Sequence, residues 1–403
     1  MYKLQIAHQI VILLLIGYIV YTVDLKKKFF PVPVVLVIIG IVLSFIPYFS
    51  SLHISKEVIF NMFLPGILFT SAYAFPLKQL KQNIGMMAAL STVGLIISFI
   101  LLGIGIYAVS GFFSASLSWA GAFVVAAILA PTDPVSITAI IKQSGGSEKI
   151  ADVVEGESLI NDGTSIVLFT VFLTMLVTGK DFSAGHFFSD FFLVTVKGLG
   201  IGLLLGWLLS WMIYYTSNKS YRVMVTIAAA YGGFYISEFV GGSGVLTTVA
   251  VGILLSQEFD KIPEKTELKR DLDGFWDIVK PSLLSVLFLW IGMEGANYLL
   301  SAHWGLAAAA FVLSLVVRLI MVGGLIGGVP AWRREFDRPG SAIALISWSG
   351  IKGSMSVALL LWLEADASGE SEMLVPLAFI AVFLSLLVQS IGIYPLTRLL
   401  NKK

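Results

Sequence analysis

The sequence has no cysteine and little charge. Asp, Glu, Lys and Arg make up 13% of its 403 residues, whereas a typical soluble domain carries about 25%. Without cysteine the chain can form neither disulfides nor thiolate metal sites. Its net charge of +1 provides no strongly basic surface for nucleic acid. These absences argue against a soluble, disulfide-stabilised or nucleic-acid-binding protein.

The motifs of common catalytic sites are also missing. The histidines lie at the ends of apolar runs or between them, which fits neither an HExxH zinc site nor haem ligation; they are His8, His53, His186 and His303. There is no Walker A motif and no G-x-S-x-G, and the similar "GGSGV" at 241–245 predicts a tight turn. We therefore expect no catalytic residues, no cofactor and no resident metal, and any ion pumping must be secondary.

Long apolar runs are what the sequence does contain. It is 57% hydrophobic, and runs of about 18 or more apolar residues recur along its whole length. Lipid permits only helices or closed barrels, and runs without strict alternation favour helices. We predict an all-α polytopic membrane protein, a single transmembrane domain over 1–403. Its thirteen predicted spans are 5–23, 31–49, 58–75, 84–110, 116–140, 154–178, 189–215, 221–240, 243–256, 278–297, 304–328, 340–363 and 373–397.

The distribution of lysine and arginine predicts the orientation. Connections after odd-numbered spans are rich in both residues, as at 26–28, 261–270 and 333–338, and so is the end of the chain. The opposite side has only Lys3, Lys56 and Lys180 clear of the spans. Because positive residues are retained in the cytoplasm, we expect the N-terminus outside and the C-terminus in the cytoplasm.

Five ionisable residues lie well inside the predicted spans: Asp133, Glu157, Asp162, Arg318 and Lys352. Each costs about 2.5–3.5 kcal/mol at a helix centre on insertion scales. A single such charge could equally belong to a structural ion pair or to a loop. Their similar distance along the spans from the cytoplasmic side instead indicates one site. By depth, Arg318 is the best partner for Glu157, and a guanidinium can hold a carboxylate bidentately in a structural pair.

Two spans carry interruptions. Pro131 and Pro134 must open span 5 around Thr132 and Asp133. In span 12 the stretch "SWSGIKGSMS", 347–356, has two glycines around Lys352; these could open the helix or merely permit close helix packing. Their positions correspond if spans 1–6 and 8–13 are inverted repeats, an arrangement typical of transporter binding sites. In crossed half-helices, Asp133 would offset the positive N-termini and Lys352 the negative C-termini.

Span 6 presents acids and their neighbours at helical spacing. Ser158 and Asp162 share one face of the helix, and Glu157 and Asn161 share the next. Hard oxygen atoms from Asp162, Ser158 and the Thr132 carbonyl suit a small monovalent cation. A carboxylate that binds either a proton or a cation would produce exchange by competition.

These motifs carry a resemblance over nearly the whole chain. "APTDPVSI", "GESLINDGTSIVLF", "GIKGSMSVAL" and Arg318 resemble the NhaP-type Na+/H+ antiporters of the monovalent cation/proton antiporter superfamily. The resemblance implies a thirteen-helix inverted repeat in which discontinuous helices 5 and 12 cross. It also implies a core bundle of helices 4–6 and 11–13, interface helices 1–3 and 7–10, and a homodimer. We expect the protein in the cell (inner) membrane of a prokaryote.

The resemblance also implies the roles of individual residues. Asp162 would carry the cation or the proton, with Ser158 and the Thr132 carbonyl as further ligands. Asn161, grouped with them, stands where electrogenic relatives have a second acid, which implies electroneutral exchange. The remaining core charges would be structural: Asp133 and Lys352 at the half-helix ends, and Glu157 with Arg318 as a buried pair.

Two positions depart from the family pattern. Relatives carry an acid in span 3 where "LPGILFT" ends in Thr70, at a position that controls proton access. They carry arginine where this sequence has Lys352, so the charge is kept and a bidentate fork is lost. Na+ is the expected cation, with Li+ a second candidate; K+/H+ antiport is the alternative. A gated cation channel fits less well because no repeated carbonyl-rich filter is visible, and a membrane-embedded enzyme fits least.

Overall fold

The computed structural model describes residues 2–27, 31–49, 56–113, 116–133, 138, 141, 147–179, 183–216, 218–259, 265–300, 303–365 and 369–401. Every regular element within these ranges is a helix. A helix satisfies its backbone hydrogen bonds internally, which a chain this apolar requires in lipid. The prediction of an all-α polytopic fold is therefore confirmed.

The helices follow one another along the chain, with a 3-10 turn at Tyr298–Leu300 between α10 and α11. α3 and α4 each contain one π-helical turn, and a single helical turn at Pro330–Arg333 precedes α12. The helices are α1 Tyr2–Lys27, α2 Val32–Ser44, α3 (Lys56–Val58, Ile59–Phe63 and Leu64–Ala74), α4 (Leu77–Ala89, Leu90–Gly94 and Leu95–Ser110), α5 Trp119–Leu129, α6 Glu148–Thr178, α7 Ala184–Tyr215, α8 Lys219–Phe239, α9 Gly244–Phe259, α10 Lys265–Gly295, α11 Trp304–Gly328, α12 Pro339–Trp348, α13 Ser354–Ala365 and α14 Ser371–Asn401.

Seven helices in the described ranges are long and apolar enough to cross a membrane. Five shorter apolar helices accompany them, among them α5 and α13, which end and begin at the predicted interruptions. The exact count of thirteen spans and their inverted-repeat relationship stay predictions.

Several helices begin earlier than the hydropathy pattern predicts. α10 begins at Lys265 and not at 278, α6 at Glu148 and not at 154, and α4 at Leu77 and not at 84. The added turns are rich in Lys, Glu, Asp and Gln. A hydropathy pattern ends where charge begins, whereas the backbone hydrogen bonds of a helix continue through polar residues.

The chain divides into two compact units. Unit 1 comprises Met1–His53, Ile84–Asp181 and Ser285–Lys403, and unit 2 comprises Ile54–Asn83 and Phe182–Leu284. All five predicted core charges belong to unit 1, and Thr70 belongs to unit 2. The predicted single domain, with its core and interface bundles, stays a prediction.

Unit 2 has an aromatic core. The rings of Phe69 and Trp276 lie 4.8 Å apart, and those of Tyr73 and Phe259 lie 5.8 Å apart. The Trp276 indole N–H donates to the Thr226 hydroxyl at 3.1 Å, so the buried polar atom has a partner. This core joins α3, α8, α9 and α10.

In unit 1, an aromatic cluster fixes α5 before its interruption. Phe123 of α5 stacks on Phe172 of α6 with centroids 4.8 Å apart, and Phe99 of α4 packs edge-on against Phe123 at 5.1 Å. Ser118 caps the N-terminus of α5, where its hydroxyl accepts the Gly121 N–H at 2.9 Å. The segment that leads into the break is therefore a firmly packed helix.

Candidate functional site

The first break follows α5. The helix ends at Leu129, and residues 131–133 have no helical structure. Pro131 explains the ending because its ring occupies the place of a helical hydrogen bond; the second predicted proline, Pro134, lies outside the described residues. Thr132 is buried, and its carbonyl accepts the Ser158 hydroxyl of α6 at 2.6 Å.

The second break separates α12 from α13, as the glycines predicted. α12 ends at Trp348 and α13 begins at Ser354. The two breaks contact each other, since the Asp133 N–H donates to the Ile351 carbonyl at 2.8 Å. The opened backbone of each helix therefore supplies a partner for the other, which is how a polar backbone can be tolerated in lipid.

Asp133 lies at the N-terminus of α13. Its Oδ2 accepts the Ser354 N–H at 3.0 Å and the Ser354 hydroxyl at 2.9 Å. A carboxylate here satisfies a free helical N–H and offsets the positive end of the helix dipole. The contact needs a glycine before it: a methyl group at Gly353 would lie 2.1 Å from the Cβ of Asp133.

Arg318 of α11 and Glu157 of α6 form a bidentate pair. The two guanidinium nitrogens donate to the two carboxylate oxygens at 2.8 and 2.9 Å, and both side chains are almost fully buried. Arg318 also donates to the Ile346 carbonyl near the end of α12 at 3.4 Å. Gly350 makes room for it, since a methyl group there would lie 2.3 Å from the Arg318 Nε.

Lys352 lies in the second break with 3% of its surface exposed. Its backbone N–H donates to the Ser385 hydroxyl of α14 at 3.0 Å. A different positively charged side chain, that of Arg318, donates to a carbonyl near the end of α12, at Ile346. The part predicted for Lys352, to neutralise half-helix ends, stays a prediction.

Asp162 and Asn161 lie on α6 beside the first break. Asn161 is fully buried, and its amide nitrogen donates to the Thr132 hydroxyl at 2.9 Å. Asp162 is also buried and follows Ser158 by one helical turn, so both belong to the same face of α6. The Ser158 hydroxyl and the Thr132 carbonyl therefore meet at the first break, and the Asp162 carboxylate belongs to the same face of α6 as Ser158.

Thr70 lies in α3, within unit 2. It is buried, and its hydroxyl donates to the Gly66 carbonyl one turn earlier at 2.7 Å. The hydroxyl thus bonds back to its own helix, as serine and threonine side chains inside helices commonly do. Its predicted place in a proton gate stays a prediction.

Sequence reasoning missed three polar residues at the second break: Ser354, Ser385 and Gln389. The latter two are fully buried on α14, and they occur in the otherwise apolar run "SLLVQS" at 385–390. Two polar residues four positions apart in a span share a face and need buried partners. That spacing was the available signal, although it does not tell which element supplies the partners.

The comparison with protein families is decisive for the whole chain. A family model described as sodium/hydrogen exchanger, transmembrane, matches residues 10–399. The chain belongs to the sodium/hydrogen exchanger family. It is therefore a multi-pass membrane protein from a family of transporters, not of catalysts, and the resemblance drawn from its motifs is confirmed.

Curated relatives and a solved structure agree with this family. The Na(+)/H(+) antiporter NhaG of Bacillus atrophaeus is 34% identical over 383 residues, which cover 92% of this chain and 71% of that protein. NhaH of Halobacillus aidingensis is 31% identical and covers 98% of this chain and 97% of its own length. The antiporter MjNhaP1 of Methanocaldococcus jannaschii, at pH 8, shares the fold with a TM-score of 0.80 at 17% identity, over 100% of both chains.

Proposed function

We propose that this sodium/hydrogen exchanger carries one Na+ for one H+ by competition at the Asp162 carboxylate. The observation that carries the proposal is the 2.6 Å contact between the Ser158 hydroxyl and the Thr132 carbonyl, one helical turn from Asp162. All three groups offer hard oxygen atoms, which suit a small monovalent cation. Relatives named as Na(+)/H(+) antiporters support Na+ as the cation.

The chemistry of the three oxygens explains how exchange could occur. A serine hydroxyl has one proton and two lone pairs, so Ser158 can turn its proton away from Thr132 and present a lone pair to a cation. The Thr132 carbonyl then gains a cation in place of that hydrogen bond. When the cation leaves, Asp162 takes a proton, which removes an otherwise costly charge from the membrane interior.

Asn161 supports one-for-one exchange. Its amide donates to the Thr132 hydroxyl and adds no charge. In this proposal Asp162 is therefore the single acid that alternates between a proton and a cation. Each half-cycle then moves the same net charge. The remaining core charges form the frame: Glu157 with Arg318, Asp133 at α13, and Lys352 in the second break.

The setting of the exchanger is part of the proposal. The asymmetric distribution of lysine and arginine supports a cytoplasmic C-terminus and an outer N-terminus. The bacterial relatives support the cell membrane of a prokaryote. The family resemblance supports a homodimer.

Transport by proteoliposomes tests the proposal. We expect Asp162→Asn to abolish Na+-driven proton movement and Ser158→Ala to raise the KM for Na+ about tenfold, by loss of a ligand. Thr174→Ala is the matched control, because Thr174 is an exposed hydroxyl on α6 that bonds only the Thr170 carbonyl of its own helix.

Three further comparisons in the same vesicles make the result specific. Parallel gradients of Na+, Li+ and K+ separate Na+/H+ from K+/H+ exchange. A membrane potential clamped with valinomycin and K+ should leave the Na+-driven rate unchanged. Retained exchange in Asp162→Asn, or currents without proton movement, would contradict the proposal.

A further inference from the structure

Two polar side chains of α14 are bonded to the second break. Gln389 and Ser385 are both fully buried and lie one turn apart. The Gln389 side-chain nitrogen donates to the Trp348 backbone carbonyl at 2.7 Å. The Trp348 indole N–H donates to the Gln389 backbone carbonyl at 3.0 Å. The end of α12 and the middle of α14 thus hold each other by a reciprocal pair of bonds.

Ser385 extends this pair into the break. Its oxygen accepts the Lys352 N–H at 3.0 Å, and its own proton goes to the Gln389 side-chain oxygen. The donors and acceptors in this series follow one another: Lys352 N–H to Ser385, Ser385 to Gln389, and Gln389 to the Trp348 carbonyl. Gln389 and Ser385 therefore bridge the break from the last residue of α12 to Lys352.

The carbonyl end of α12 is accounted for completely. The last four carbonyls of a helix lack partners within it, and leaving them unpaired in a buried site is costly. Here each has a donor: Ser349 N–H for Leu345, Arg318 for Ile346, Gly350 N–H for Ser347 and Gln389 for Trp348. The second break is consequently held by side chains from α11 and α14.

The bonds at the break are linked through two peptide planes. The Lys352 N–H, which Ser385 holds, belongs to the same planar unit as the Ile351 carbonyl. That carbonyl accepts the Asp133 N–H at 2.8 Å. The Asp133 N–H in turn shares its peptide plane with the Thr132 carbonyl, which points to Ser158.

We propose that Ser385 and Gln389 are positioning residues for the cation site, which orient the Thr132 carbonyl through these two peptide planes in series. Each trans peptide directs its C=O opposite to its N–H, so fixing one plane fixes the direction of the next. The inference rests on the proposed function, in which the Thr132 carbonyl is a cation ligand. It adds two residues whose hydrogen bonds go to each other and to the backbone of Trp348 and Lys352.

The first test is the KM for Na+ of Ser385→Ala in proteoliposomes. This variant leaves the buried Lys352 N–H without its acceptor and frees the peptide plane to rotate. We expect the KM to rise about tenfold with a smaller change in maximal rate, as for other residues that orient a metal ligand. Ser385→Thr keeps the hydroxyl and should restore a KM close to the wild-type value.

Thr397→Ala is the matched control for Ser385→Ala. Thr397 is also a fully buried hydroxyl on α14, but it donates to the Ile393 carbonyl of its own helix at 2.8 Å. Its loss changes helix stability without touching the break. We expect this variant to keep the wild-type KM.

The second test is Gln389→Glu, which preserves shape and carries the argument if Ser385→Ala does not fold. A neutral carboxylic acid at this position can donate to the Trp348 carbonyl and accept from Ser385, whereas a carboxylate cannot donate. The ratio of the variant's KM to the wild-type KM should therefore grow as pH rises.

The outcomes separate this inference from the proposed function. An active wild type, with folded Ser385→Ala and Gln389→Glu that keep the wild-type KM at every pH, would overturn the positioning role alone. A lower melting temperature with an unchanged KM would do the same, since it shows a purely structural role. A wild type without Na+-driven proton movement would overturn the proposed function itself, and the positioning role with it.

Discussion

The two breaks of unit 1 are built in different ways. The break after α5 begins at a proline, and its Thr132 carbonyl accepts a serine hydroxyl that can rotate away. The break between α12 and α13 contains two glycines, and donors from its own turn, α11 and α14 satisfy the last four carbonyls of α12. The comparison shows that the first break presents a carbonyl whose hydroxyl partner can rotate away, whereas the carbonyls beside the second break are held by several donors.

The contacts between the breaks follow from this division. The glycines of the second break make room for two larger side chains. Arg318 and Asp133 occupy the space that side chains at Gly350 and Gly353 would need. The first break is bonded to the second through the Asp133 N–H and the Ile351 carbonyl, and we propose that this bond orients the first break. Substitutions at the second break should therefore change the packing around both breaks, and they should change cation binding only as a consequence.

The largest expected effect comes from breaking the buried ion pair that anchors the second break. Glu157→Gln leaves the Arg318 charge buried without its partner, and we expect a loss of about 3–5 kcal/mol in the free energy of unfolding. Unfolding of the purified protein in a denaturing-detergent titration would measure it.

An exposed pair in the same unit is the control for Glu157→Gln. Lys149 and Glu335 form a salt bridge with side chains about one-third exposed. Glu335→Gln should cost about 1 kcal/mol or less, because water screens such pairs. Equal losses from the two substitutions would contradict the buried pair's place in the frame.

A smaller effect is expected at the contact between the breaks. Gly353→Ala places a methyl group 2.1 Å from the Asp133 Cβ, so Asp133 must move away from the N-terminus of α13. We expect overpacking to lower the free energy of unfolding by about 1–3 kcal/mol, and the exchange rate to fall with it.

Gly324→Ala provides the comparison, since a methyl group at this position in α11 would have no described atom within 4 Å beyond its chain neighbours and the backbone of its own helical turns. Alanine there should be neutral or stabilising by up to about 1 kcal/mol, through its better helix propensity. If Gly353→Ala unfolds and transports like Gly324→Ala, the two breaks do not depend on close contact.

The sequence was most informative where a residue type conflicts with lipid. Prolines, glycine pairs and charges stand out in a chain this apolar, so the two breaks and the pairing of Glu157 with Arg318 could be predicted from it. The reason is energetic, because an unpaired charge costs about 2.5–3.5 kcal/mol at the centre of a span, and in a helix interior proline costs about 3 kcal/mol and glycine about 1 kcal/mol relative to alanine.

Two kinds of feature could not be predicted in the same way. Ser385 and Gln389 reveal by their spacing that they need partners, but only the packing of α14 against the second break shows which ones. The early starts of α6 and α10 escaped because polar helical turns look like connections in a hydropathy pattern. The partners of Ser385 and Gln389 depend on neighbours distant in sequence, whereas the helix starts depend on backbone hydrogen bonds that hydropathy does not record.

The most direct test of the central claim is the pH dependence of the KM for Na+ in wild-type proteoliposomes, with pH equal on both sides. If a proton and a cation compete for Asp162, the KM should rise about tenfold for each pH unit below the pH at which Asp162 titrates, while the rate at saturating Na+ stays constant. A KM that stays constant while the saturated rate falls would contradict competition at a single carboxylate.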